Sequence, residues 1–297
     1  MNMSQKYSTW QRGENFKNRA ALIKQYNDID DILPVSSDSS YSFVKTANEQ
    51  EGECREVFNE AEQKVLGLIT AYAYLTFNQI YTLLELMKET FSKTTVKRVL
   101  DKLIDLSVIV KYTVRSEVGQ GMEKEIKIYS RSRFKIVRCC EIPNMNYKNR
   151  LILRSECGNS WAALSLTMVV VNQIVINQMI YGSPIRHLKI ENVKYMPKCK
   201  IAVLLEMETD KGTYYFVSAM HSRGHKIQEI LLDWTDYAMW QKRDFTLVFI
   251  TSGEKNLVET MEAVNTARFF GFQIGYSLYY DWFKSARNSL IMRDSIR

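Results

Sequence analysis

Lys93, Thr94, Thr95, Lys97 and Arg98 fall within six consecutive residues, and each carries a side chain suited to duplex DNA. Lysine and arginine neutralise phosphates or pair with guanine, and threonine suits phosphate or thymine-methyl contacts. On a helix the five occupy the N-terminal turns, with Thr94, Lys97 and Arg98 on the outer face and Val96, Val99, Leu100 and Leu103 on the inner one. Asp101 and Asp105 also lie on the outer face and repel phosphate unless the later turns hold them away. Lys97 is spaced to pair with Asp101 one turn on. A second basic group follows. Arg115, Lys124 and Lys127 flank a turn at Gly119 and Gly121, and Arg131, Arg133 and Lys135 alternate after it, so one exit strand would carry the last three on one face. Basic residues also guard strand edges, but beside a basic helix their clustering favours DNA contacts. From Ser92 to Lys135 eleven Lys and Arg stand against five Asp and Glu, which is +6 of the chain's formal +7.

Glu206 and Glu208 raise a different chemistry. They alternate at the end of a β-rich run, so both carboxylates can enter one site, where converging carboxylates hold a divalent ion that activates water. A nuclease centre of that kind also needs a lysine beside it. The next run, Tyr214 to Met220, holds neither carboxylate nor lysine, so the Glu-x-Lys pair is absent. The expectation is a nuclease-like shell without enzyme activity, metal or cofactor. The alternative is a metal-dependent nuclease with a rearranged active site that uses Glu206 and Glu208 with a lysine from elsewhere, Lys226 being nearest. His221, His225 and Glu229 have a spacing that suggests metal ligands, but Gly224 interrupts them and spacing alone is weak. Arg223, His225 and Lys226 form a candidate second anion site at a strand-to-helix turn. With three histidines in all, and no Walker loop or GxGxxG, other catalytic arrangements have little material.

The elements that position the first group are well punctuated. Asn59 with Glu62, and Thr76 with Gln79, can each form a capping box, and Ser92 can cap a third helix. Val65, Leu66, Ile69 and Ala73, then Ile80, Leu83, Leu84 and Met87, supply buried stripes for the first two helices. β-rich runs at Val108–Arg115 and Lys124–Tyr129 predict a hairpin. Three helices and then a hairpin is the order of a winged helix-turn-helix, expected over residues 59–135, whose second motif helix enters the major groove. Residues 1–58 read as a basic, partly disordered tail and linker. Lys6, Arg12, Lys17, Arg19 and Lys24 form a candidate phosphate-seeking arm or a solvated helix face, and a polar run with Pro34 follows.

An α/β domain is expected over residues 149–297. It reads as a long helix from Ser160 to Tyr181, three strands, a helix from Gly224 to Gln241, then a strand, a helix and a strand. The fold class is therefore α+β, an N-terminal winged helix followed by a domain of restriction-endonuclease-like order. The stretch Gly158–Ile185 is uncharged and long enough to span a bilayer. Its amides, Asn172, Gln173, Asn177 and Gln178, are costly in hydrocarbon, so a core helix and no membrane association are expected. Five cysteines without a CxxC pair fit reduced thiols in the cytoplasm. Cys139 and Cys140 read as half-buried small residues rather than a redox pair.

This layout resembles the replication-relaxation family of plasmid, phage and integrative-element proteins, over about three quarters of the chain. The resemblance implies a double-stranded DNA-binding accessory protein of replication, conjugation or transcription on a mobile element. Its second domain would serve dimerisation or docking. A third reading is an interaction protein that turns the winged helix toward protein, since fold alone does not fix function.

Overall fold

The computed structural model describes residues 41–45, 52–118, 122–132, 135–137, 161–182, 184–195, 200–219, 224–241, 244–251, 254–267, 271–278 and 291–292. The chain is mixed α and β, with six helices among the described residues, a four-stranded sheet, a six-stranded sheet and a two-stranded pair. It divides into two compact units, the first holding the described residues from Tyr41 to Val137 and the second those from Trp161 onward.

The first unit runs β1 (Tyr41–Lys45), β2 (Gly52–Cys54), α1 (Glu60–Tyr72), β3 (Tyr74–Thr76), α2 (Phe77–Leu86), α3 (Lys93–Asp105), β4 (Ile109–Val118), β5 (Met122–Arg131) and β6 (Lys135–Val137). Its helices begin where the sequence punctuates them. Asn59 and Thr76 each accept from the backbone N–H three residues on, while Glu62 and Gln79 return the bond to the cap's own N–H. Ser92 Oγ accepts from Thr95 N–H at 3.1 Å. Each such cap stabilises its helix by about 1 kcal/mol. Ser107, at φ 55°, ends the third helix in a left-handed turn, and Val108 N–H closes onto Leu103 O at 2.9 Å. The chain can then reverse into β4.

The core of this unit is Leu66 and Ile69 from α1, Ile80 and Leu83 from α2, Val96, Leu100 and Leu103 from α3, and Ile126 and Ile128 from β5, all buried. Burying each such side chain contributes about 1.5–3 kcal/mol. The sheet order is β1-β4-β5-β3. Tyr74–Thr76, the short strand between the first two helices, pairs antiparallel with the last residues of β5. Three residues are too few to show a strand period, so sequence reading passed over it. Two features also move the unit's boundaries. β1 pairs with β4, and β2 pairs with β6 in a separate parallel ladder, so residues expected in a tail belong to the folded unit. The basic arm from Lys6 to Lys24, and the pair Cys139–Cys140, lie outside the described residues.

The second unit runs α4 (Trp161–Tyr181), β7 (Ile185–Tyr195), β8 (Lys200–Thr209), β9 (Gly212–Ser218), α5 (Gly224–Gln241), β10 (Thr246–Thr251), α6 (Glu254–Thr266), β11 (Gln273–Leu278) and β12 (Ile291–Met292). β7, β8 and β9 form an antiparallel meander, β9, β10 and β11 are parallel, and the sheet order is β12-β11-β10-β9-β8-β7. Each parallel step is bridged by a helix, as a parallel crossover requires. Trp234 and Tyr237 of α5 pack on Tyr215 and Phe245. The uncharged helix α4 is buried from Met168 to Asn177, amides included, and Gln173 Nε2 donates to Asn177 Oδ1 at 3.0 Å. Its polar stripe therefore lies inside the unit. Among the described residues no helix is long and apolar enough to cross a membrane.

Candidate nucleic-acid interface

The burial pattern of α3 sorts its side chains as its periodicity requires. Val96, Val99, Leu100 and Leu103 face the core, and Lys93, Thr94, Lys97, Arg98 and Asp101 are exposed. Thr95 is half-buried, and its hydroxyl lies 2.9 Å from Ser92 Oγ, engaged with the helix cap. Lys97 does not reach for Asp101. Its ammonium sits over the ring of Phe77, 5.6 Å from the centroid, and Lys93 sits over Tyr81 at 5.3 Å. Phe77 and Tyr81, one turn apart on α2, stack at 6.4 Å. At partly exposed sites each cation–ring contact contributes about 0.5–1 kcal/mol, enough to hold the lysines in place without cancelling their charge. Lys102, on the same helix, turns the other way. It bridges Glu56 and Glu62 at 2.8 and 3.1 Å, and those two carboxylates, Glu56 first, raise its pKa.

The hairpin contributes Lys127, exposed on β5 and 3.4 Å from Glu125, and Lys111, half-buried on β4. Lys111 and Lys127 share a cleft with Lys97, so the outer face of α3 and the hairpin frame one surface. Arg115 and Lys124 lie on the paired strands, opposite Glu125 and Ser116. Arg133 lies outside the described residues.

Two expectations about the exit strand are corrected. Arg131 is 1 % exposed, and its guanidinium donates to the carbonyl of Val108. It is bound inside the unit and does not present itself to phosphate. Lys135 belongs to β6, paired with β2, where it lies opposite Gly52 and is half-buried. The alternation of Arg131, Arg133 and Lys135 therefore does not describe one strand, because the chain leaves the hairpin at Arg131 and joins another ladder.

In the second unit, Glu206 and Glu208 are half-buried on β8, paired with Tyr215 and Thr213. Glu206 Oε1 accepts from Tyr215 Oη at 3.3 Å, and Tyr237 Oη is 3.2 Å from the same Tyr215 hydroxyl. A phenol has one proton, so with Tyr215 donating to Glu206 it is Tyr237 that donates to Tyr215. Burial, then the bond to Tyr237, then the charge of Glu206 push the Tyr215 pKa far above its ordinary value. Among the described residues no group of three or more His, Cys, Asp or Glu is gathered to hold a metal ion. Lys226 stands in the first turn of α5 with its ammonium 3.6 Å from Glu229. Arg223 and His221 lie outside the described residues; His225 belongs to α5.

Sequence reading missed Phe77, Tyr81 and Lys111. The i, i+4 spacing of two aromatics beside the apolar stripe of α2 was the available signal, since only one of the two faces can be core. Comparison with protein-family models, with curated proteins and with solved structures finds no match for this chain.

Proposed function

We propose that the first unit is a winged helix that binds double-stranded DNA through α3 and the β4–β5 hairpin. The protein would then act as a non-enzymatic, DNA-binding accessory factor on a mobile element. The observation that carries this reading is the exposed face of α3, where Lys93, Thr94, Lys97 and Arg98 stand clear of the core and Lys97 shares a cleft with Lys127 of the hairpin. The order helix, strand, helix, helix, hairpin supports it further. So does the pairing of β3 with β5, which ties the first two helices to the hairpin as a winged helix requires. Cations on one side of a helix and on a neighbouring hairpin can contact phosphates on both sides of a groove.

We read the second unit, a mixed six-stranded sheet with helices bridging its parallel steps, as a domain of restriction-endonuclease-like order that serves docking or dimerisation and has no nuclease chemistry. Glu206 is engaged by Tyr215, and β9 beside it offers Tyr215, Val217 and Ser218 where a nuclease would place a carboxylate and a lysine. Electrophoretic retardation of a duplex, with and without magnesium, tests both halves of the proposal. Retardation without cutting is expected. Failure to retard any duplex at low salt removes the DNA-binding reading, and magnesium-dependent cutting removes the reading of the second unit.

A further inference from the structure

Between the start of α2, the outer face of α3 and the hairpin lies a cleft of about 400 Å³, in the size range of pockets that take small ligands. Its lining has three kinds of group. Phe77 and Tyr129 supply ring surface, Lys97, Lys111 and Lys127 supply positive charge, and Asp101 and Glu125 supply carboxylates. A phosphate backbone alone fits poorly, because the two carboxylates repel it. An apolar ligand fits poorly too, because it would strip water from five charged groups. A nucleotide uses all three kinds. Its base stacks on a ring, its exocyclic amine donates to a carboxylate, and its phosphate meets lysine.

We infer that this cleft takes one unpaired nucleotide of the DNA held on α3, with its base against Phe77 and its amino edge toward Asp101 or Glu125. The inference rests on the DNA-binding reading above and adds a preference to it: duplex interrupted by an unpaired base over intact duplex. An unpaired base enters without the loss of a base pair, so it has the smaller barrier to overcome. The carboxylates also select among bases. Cytosine presents its N4 amine to them, whereas the corresponding edge of thymine carries the O4 acceptor.

Fluorescence anisotropy of the full chain against three labelled duplexes tests this: one fully paired, one with a single unpaired cytosine at its centre, and one with a single unpaired thymine. The cytosine duplex should bind about tenfold more tightly than the paired one, the scale of one base stacked on an aromatic ring, with thymine between. Phe77→Ala should abolish the difference between the cytosine and the paired duplex, while the lost support of Lys97 lowers affinity for both duplexes alike. Because Phe77 opens α2, Glu125→Gln on the exposed side of β5 serves as a second variant that leaves the helices untouched, and it should narrow the gap between cytosine and thymine. Equal binding of paired and interrupted duplex overturns the inference and leaves the DNA-binding reading in place. Absence of binding to all three overturns both. A preference for unpaired cytosine that persists unchanged in both variants shows that the base lies elsewhere and overturns the assignment of this cleft.

Discussion

The guanidinium of Arg131, at the end of β5, donates to the carbonyl of Val108, which also accepts from Ser132 N–H at 3.0 Å. Val108 follows the left-handed turn that closes α3, so these bonds fasten the exit of that helix to the far strand of the hairpin. An arginine here is therefore a structural clamp. Arg131→Ala should destabilise the first unit by about 1–3 kcal/mol, the range for a buried bond whose partner is removed. Thermal melting should register this loss, while DNA affinity at a temperature where the variant is folded stays within about twofold. A large loss of affinity with unchanged melting would return Arg131 to the DNA surface.

Lys97 and Arg98 should behave in the opposite way. Both are exposed on α3, so Lys97→Glu with Arg98→Glu leaves the core untouched and costs at most the contact of Lys97 with Phe77, about 0.5–1 kcal/mol. Retention of duplex should be lost at about 100 mM salt, because each lost phosphate contact weakens binding and the loss compounds with ionic strength. Retention equal to that of the parent chain would mean that α3 does not meet DNA.

These two arginines show where sequence reading reaches and where it stops. Arg98 lies within a helix whose period, cap and apolar stripe are all local, so its exposed face is legible from the residues around it. The same holds for the capping boxes at Asn59 and Thr76, and for the strand and helix order of the second unit. Arg131 was misjudged because its environment is set by a residue twenty-three positions earlier in the chain. Alternation assumes that a strand continues, and here it ends at Arg131. β1, β3 and the partnership of β2 with β6 were missed for a related reason. They are short edge pairings whose partners are distant in sequence, and three to five residues carry no period of their own. The cleft at Phe77 needs three elements brought together, which no local pattern encodes.

Val99 and Leu103 lie on the buried side of α3, Leu103 with no exposed surface and Val99 with 6 %. Either residue changed to aspartate places an unpaired charge in a small core. That costs several kcal/mol against a typical total of about 5–15 kcal/mol. The first unit should fail to show a cooperative melting transition, and hydrogen exchange should locate the loss between Tyr41 and Val137. An unaltered melting curve would mean that the faces of α3 are reversed.

Tyr215 gives the second unit a pH dependence with a definite sign. Its folded-state pKa is raised, chiefly by burial, while the unfolded chain titrates near the ordinary value of 10.0. Below that value the phenol is protonated in both states, and the stabilisation is fully present. Above it the unfolded chain releases a proton that the folded chain retains, so stability falls as pH rises. Tyr215→Phe should flatten this alkaline limb relative to the parent chain. An equally steep limb in the variant would place the titrating group elsewhere.

The same tyrosine bears on whether the second unit cuts DNA. A nuclease would need Glu206 and Glu208 to converge on a cation, and alternate residues on β8 do share a face, which is the arrangement most favourable to an enzyme. One carboxylate oxygen of Glu206 is occupied by the Tyr215 hydroxyl, itself bonded to Tyr237 within a cluster that includes Trp234 and Phe245. Turning Oε1 of Glu206 away to a metal would leave a buried phenol short of its acceptor, a penalty of about 1–3 kcal/mol, so a cation could use only the second oxygen without that loss. β9 supplies no lysine for the charge that develops on phosphate, Lys189 of β7 stands opposite Glu206 but is exposed, and Lys226 lies beside Glu229. Incubation with magnesium or manganese should therefore leave both duplex and single-stranded DNA intact, while Glu206→Gln lowers the melting temperature of the second unit through its weakened bond to Tyr215. Metal-dependent cutting by the parent chain that disappears in the Glu206→Ala, Glu208→Ala double variant would instead make these carboxylates the ligands of a rearranged nuclease centre.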